Sequence, residues 1–184
     1  MKKHADIAAK ILRSGGVIAY PTEGVFGLGC LPSEEMAIKR ILTIKNRDAS
    51  KGLILIASDA KQLDPWIKLP TKVSLPKPVD KYPVTWIVPY SAKISKLVIG
   101  KNEGVAIRLT ANRIVQSICS SAESAIISTS ANLSGQSIVK NQAELKEKFA
   151  DLVDFIVPGN CGPASGPSEI RNLTTGQILR HGTK

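Results

Sequence analysis

The chain has 184 residues, 25 of them Lys or Arg and 15 Asp or Glu, for a formal charge of +10 with both histidines neutral. Hydrophobic residues make up 43% and charged residues 22%, ordinary globular proportions that exclude a disordered, collagen-like or coiled-coil chain. At roughly 150 residues per domain the length predicts a single domain over residues 1–184, long enough to bury a substantial core.

The first predicted element is a helix over residues 6–13, where Ile7, Ala8, Ile11 and Leu12 recur with one-sided helical spacing. A strand follows over residues 17–20, and then a glycine-rich turn, Gly24 to Gly29. A second helix is predicted over residues 33–45, with Ser33 as its cap and Ala37, Ile38, Ile41, Leu42 and Ile44 as a broad apolar face. Apolar runs at residues 53–57, 85–88, 105–109, 125–128, 155–157 and 177–180 read as strands, and residues 112–119 and 142–149 as two more helices. Residues 66–83 follow directly on Pro65, carry four more prolines and show no sustained period, which reads as a long irregular connection within the domain. Strands interleaved with helices predict an α/β fold around one sheet.

Several classes of chemistry are disfavoured. No apolar run approaches the ~20 residues of a membrane-spanning helix, and the basic start Met1-Lys2-Lys3 is not followed by an apolar signal core, so a soluble cytoplasmic protein is expected. Cys30, Cys119 and Cys161 are odd in number and form no C-x-x-C pair, which points to reduced, inert thiols. The only histidines, His4 and His181, lie near the two ends, against a Ser-His-Asp triad or a histidine-based metal centre. Basic and acidic residues number 14 and 8 in residues 1–92 (+6) and 11 and 7 in residues 93–184 (+4). Charge spread in this way either forms a field suited to nucleotides or RNA or serves solubility alone.

Three segments concentrate polar chemistry just after predicted elements. Thr22 and Glu23 stand at the carboxyl end of the strand over residues 17–20, where α/β folds commonly bind ligands, and the glycines that follow suit either a binding loop or a tight strand-to-helix turn. Lys45, Arg47 and Lys51 place three cations in seven residues between a helix end and a strand. The helix C-terminus accounts for Lys45, whereas Arg47 and Lys51 lie beyond it and are suited to phosphates. Ser128-Thr129-Ser130-Ala131-Asn132-Leu133-Ser134-Gly135 gathers hydroxyls and backbone N–H groups, the ingredients of an anion nest or of ordinary turn capping. Arg108 sits late in a strand, where an internal Arg needs a partner or a ligand. Arg180 closes the last strand, and Ser168 follows a Gly/Pro-rich loop. Glu23 is the nearest candidate base, although a solvent-facing carboxylate is the simpler reading.

In order and spacing, Y-P-T-E-x-V-F-G-L-G, K-x-R-x-x-x-K-G-L, A-I-R, S-T-S-A-N-x-S-G and P-S-E-I-R resemble the YrdC/TsaC family of threonylcarbamoyl-AMP synthases, in its short, single-domain bacterial form. The resemblance runs from about Gly15 to Gly182. It implies a twisted mixed β-sheet with flanking helices and a large, positively charged concave cavity. It implies an ATP-dependent reaction of L-threonine and bicarbonate that yields threonylcarbamoyl-adenylate and pyrophosphate, with the product feeding tRNA adenosine modification through partner proteins. Carried over by position, Lys45 and Arg47 are the catalytic candidates. ATP contacts fall to Lys45, Arg47, Lys51, Ser130, Asn132 and Arg180, and threonine contacts to Thr22, Arg108, Ser128 and Ser168. Mg²⁺ is expected with ATP, without a dedicated protein site or a transition metal. Gly24 stands where relatives commonly have a second Thr, and Asp80-Lys81-Tyr82-Pro83-Val84-Thr85 where they commonly read P-G-P-V-T.

Two alternatives remain at this level. One is a non-catalytic RNA-binding protein of tRNA or ribosome maturation, which the charge favours and the 4% aromatic content disfavours, because single-stranded RNA platforms stack bases on aromatic rings. The other is a related enzyme using another acyl or carbamoyl donor.

Overall fold

The computed structural model describes residues 1–71 and 73–183. In chain order the elements are α1 (Lys2–Arg13), β1 (Ile18–Pro21), β2 (Phe26–Gly29), α2 (Glu35–Lys45), β3 (Ile54–Ala57), β4 (Val84–Val88), α3 (Lys96–Ile99), β5 (Val105–Leu109), α4 (Arg113–Ala122), β6 (Ile126–Ser130), α5 (Gln142–Phe149), β7 (Phe155–Ile156), β8 (Glu169–Asn172) and β9 (Ile178–Arg180). The strands form one mixed sheet in the order β7-β1-β2-β6-β3-β5-β4-β8-β9. The pairs β1/β7, β3/β5 and β4/β8 are parallel and the other neighbours antiparallel.

The two-residue period of the strands sorts their apolar side chains between two helical layers. Ile18, Tyr20, Ile56 and Ile126 point to one face, where Ala5, Ala8, Ala9 and Leu12 of α1 and Val115, Ile118 and Cys119 of α4 cover them. Val17, Ala19, Leu55, Ala57, Ile107 and Ile127 point to the other, against Ala37, Ile38 and Ile41 of α2 and Leu145 and Phe149 of α5. A sheet covered on both faces needs strands that are apolar throughout, which is why the central ones read as continuous runs.

Every predicted helix and strand is present; β5 and α5 keep their expected bounds, and the others shift at one or both ends by up to four residues. The expected mixed α/β architecture is therefore observed. Two strands and one short helix, β2, β8 and α3, were not anticipated. Phe26–Gly29 is a strand paired with β1 rather than a strand-to-helix turn. Gly29 is there for packing: a Cβ on it would run onto the Ile127 carbonyl of β6 and lie 2.9 Å from Cε1 of the fully buried Tyr20 ring. Ser33 is not the cap of α2. The helix begins two residues later with Glu34 at the cap position and no side-chain cap, and the Ser33 hydroxyl donates to Glu34 Oε1 at 3.3 Å instead. The proline-rich connection has no helix or strand over its described residues, apart from a single bridge between Ile67 and Tyr90. Lys72 lies outside the described residues.

Candidate active site

The face covered by α1 and α4 continues beyond the helices, and there it becomes the floor of a cavity of about 310 Å³. Register explains the change. Ile56 pairs with Ile126 on one side and Arg108 on the other, while two residues earlier Ile54 pairs with Ser128 and Ala106. Ile126 is roofed by helix, whereas Ile54, Ala106, Arg108 and Ser128 face open space. The walls come from the β1–β2 turn with Thr22, the segment between α2 and β3 with Arg47 and Lys51, the end of β6 with Thr129 and Ser130, and the C-terminal strands with Ser168 and Arg180.

Arg47 reaches the cavity because α2 is closed by Asn46 in the left-handed conformation (φ 47°), with the Arg47 N–H returning to the Leu42 carbonyl at 2.9 Å. Such a cap turns the chain sharply out of the helix. The Arg47 Nε and Nη2 donate to the Gly52 carbonyl at 3.2 and 2.9 Å, which holds the guanidinium on the wall while Nη1 makes no hydrogen bond among the described residues. Lys51, one residue before Gly52, is exposed.

Lys45, the last residue of α2, takes a different course. It is 2% exposed, and its ammonium donates to the Ser130 carbonyl and to Asn132 O and Oδ1, the latter two at 2.6 and 3.3 Å. Asn132 Oδ1 also accepts from the Ser130 hydroxyl at 2.6 Å, and the Asn132 amide donates to the Leu133 and Gln136 carbonyls. Lys45 thus braces the turn after β6 from behind. Neither Lys45 nor Asn132 lines the cavity, whereas Ser130 does. Burial, helped by the neighbouring Arg47 charge, lowers the Lys45 ammonium to about 8.

At the inner end, Arg108 is 7% exposed and Glu23 1%, with Arg108 Nη2 3.4 Å from Glu23 Oε2. Glu23 Oε1 accepts from the Thr110 hydroxyl at 2.6 Å and the Ala111 N–H at 3.3 Å. Glu23 is therefore neither a surface carboxylate nor a wall residue: the strand-end turn folds inward, and the internal arginine of β5 takes it as its partner. The Ser168 and Thr85 hydroxyls bond to each other at 2.7 Å, and Arg180 donates to the Ser168 carbonyl at 2.7 Å. The Thr22 hydroxyl donates to the Val25 carbonyl at 2.7 Å. Burial and the charges of Arg108 and Arg47 lower the Arg180 guanidinium, the electrostatic mark of three arginines converging on one space.

Burial pushes the Cys119 thiol up to about 12 and raises those of Cys30 and Cys161, so the thiols are protonated and unsuited to nucleophilic attack. Among the described residues no group of three or more His, Cys, Asp or Glu could hold a metal ion, and no carboxylate lines the cavity. Among the same residues no helix is long and apolar enough to cross a membrane.

The Sua5/YciO/YrdC family model, described as "Telomere recombination", matches residues 10–182. The chain belongs to this family. Full-length relatives of this YrdC-family chain include the threonylcarbamoyl-AMP synthase of Vibrio vulnificus, 45% identical over 99% of this chain and 100% of that protein. The synthase of Nitrosococcus oceani is 43% identical over 95% of each. Among solved structures, P. abyssi Sua5 complexed with L-threonine superposes with a TM-score of 0.86 at 29% identity, over 99% of this chain. The chain spans 55% of the length of that Sua5. E. coli YciO shares the fold, with a TM-score of 0.77 at 22% identity.

Of the positions singled out in the sequence of this YrdC-family chain, the cavity gathers Thr22, Arg47, Lys51, Arg108, Ser128, Ser130, Ser168 and Arg180, and leaves Lys45 and Asn132 behind its wall. Asn102 and Thr129 also line it. Thr129 lay within the segment already noted. Asn102, in the turn between α3 and β5, looked like any turn residue, and only its position beside Gly52 and Ile99 brings it to the wall.

Proposed function

We propose that this chain is a threonylcarbamoyl-AMP synthase that takes L-threonine, bicarbonate and ATP with Mg²⁺ and releases pyrophosphate. The observation that carries this reading is the sorting of charge in the cavity of a chain aligned end to end with synthases. Arg47, Lys51 and Arg180 supply cations without ion pairs among the described residues, suited to a triphosphate, and Arg108 supplies one paired cation suited to a carboxylate. Ser128, Ser130, Thr22 and Ser168 supply hydroxyls between and around them.

In this reaction the threonine amine adds to CO₂ formed from bicarbonate and loses a proton. A carbamate oxygen then attacks the α-phosphorus of ATP, forming the mixed anhydride as the bond to pyrophosphate breaks. The chain's part is to align the two substrates and to offset the charge that builds on the leaving pyrophosphate, so no protein nucleophile is needed. Mg²⁺ arrives with ATP as part of the substrate, held by phosphate oxygens and water. Lys45 and Asn132 act from behind by fixing Ser130. The product is a donor for tRNA adenosine modification by partner proteins in the cytoplasm.

The test is pyrophosphate release in the presence of ATP, Mg²⁺, threonine and bicarbonate. Release should require both threonine and bicarbonate; release independent of either refutes the assignment.

A further inference from the structure

Glu23 is the one carboxylate that meets a cavity cation in an ion pair among the described residues, yet it does not line the cavity. Two donors, the Thr110 hydroxyl and the Ala111 N–H, fix its Oε1, and this leaves Oε2 facing the Arg108 guanidinium at 3.4 Å. Thr110 is itself held: its hydroxyl accepts from the Asn112 N–H at 3.1 Å, and its carbonyl from the Gln116 amide at 2.9 Å. Both partners of the pair are more than nine-tenths buried, and Glu23 Oε2 and Arg108 Nε have no hydrogen-bond partner among the described residues. Arg108 lines the cavity, and its ion-pair contact to Glu23 at 3.4 Å leaves the guanidinium able to take a ligand as well.

We propose that Glu23 is a positioning and charge-selecting residue: it holds Arg108 at the inner end of the cavity and cancels its charge, so that this end accepts the single carboxylate of a zwitterion and rejects phosphate groups. The proposal rests on the synthase reading and adds to it how two anionic substrates are kept to their own ends. Arg47 and Arg108 each lie close enough to Arg180 for their charges to act on it, and all three line the cavity, so without Glu23 a triphosphate would meet comparable cations along the whole cavity. With Glu23 the inner end is neutral overall. A zwitterionic amino acid keeps that balance, whereas a phosphate would bring one or two uncompensated charges next to a buried carboxylate, a costly arrangement where the dielectric is low.

Glu23→Gln keeps the size of the side chain and an oxygen for Thr110, and removes the charge. An amide in place of the carboxylate no longer holds the guanidinium, so the KM for threonine should rise about tenfold through misplacement of Arg108, the scale of one charge-assisted contact, with the KM for ATP essentially unchanged. Inorganic phosphate should become a competitive inhibitor against threonine in the variant and not in the wild type. Thr110→Val, which removes the shorter of the two bonds to Oε1 and leaves that from the Ala111 N–H, should shift the threonine KM in the same direction by less, and it decides the matter should Glu23→Gln fail to fold. A wild-type chain without threonine-dependent pyrophosphate release overturns the synthase reading and this proposal with it. A wild-type chain that turns over, with variants that keep the threonine KM or lose affinity for ATP and threonine equally, overturns the proposal alone.

Discussion

Replacing Arg47 by Ala separates a structural contact from a functional one. Within the protein, Nε and Nη2 share the Gly52 carbonyl, which closes the loop leading from α2 into β3. Two hydrogen bonds to one acceptor are worth about 1–1.5 kcal/mol to the fold, or a fall in Tm of about 2–6 °C for a chain of this size. A charge-assisted bond from the same guanidinium to a phosphate oxygen is worth about 1.5–3 kcal/mol, which at about 1.4 kcal/mol per decade is roughly a 10- to 140-fold loss of kcat/KM for ATP. Arg47→Lys keeps the charge without the fork and should fall between wild type and Arg47→Ala. Pyrophosphate release at varied ATP, beside thermal melts of the same preparations, measures both quantities. If Arg47→Ala retained ATP kcat/KM within about threefold, or lost activity only in proportion to a Tm drop beyond about 10 °C, the phosphate contact would be refuted and the loop closure would be its whole role.

Lys45→Met preserves the stem but strips the ammonium from the Ser130 and Asn132 oxygens; it should cost about 2 kcal/mol and about 4–8 °C in Tm, with loss of activity, and unaltered melting would mean that the brace contributes nothing. Activity should decline as the pH rises through about 8, where the buried Lys45 ammonium loses its proton. Because its folded value lies below the unfolded one of about 10.4, stability at this group is lost as pH falls through the folded value and gained between the two, so the melt should not weaken while activity falls; a parallel decline of both would contradict the assignment. Gly24→Ala should displace the segment 162–168, because a Cβ there runs onto the Gly166 carbonyl and comes within 2.9 Å of the Ala164 carbonyl. Its signature should be a raised threonine KM through Ser168 with little change for ATP, and unchanged kinetics for both substrates would show that the loop does not set that wall.

The sequence by itself determined the α/β class, the positions of most elements and the family, because continuous apolar strands, one-sided helices and the ordered motifs are local properties of the chain. It located most of the strand ends and turns that line the cavity for the same reason. It did not reveal β2, whose glycines look like a turn until the Ile127 carbonyl and the Tyr20 ring are seen to leave no room for a side chain at Gly29. Nor could it separate residues on the cavity wall from residues behind it. Lys45 and Arg47 are two positions apart, yet a left-handed cap at Asn46 leaves one bracing a turn and puts the other on the wall. Glu23 and Arg108 are 85 positions apart, and only the folding of the β1–β2 turn against the end of β5 makes them a buried pair. Tertiary structure decided how the cations are used because ion pairing and burial depend on which distant segments meet, and that information is not contained in any single stretch of the sequence.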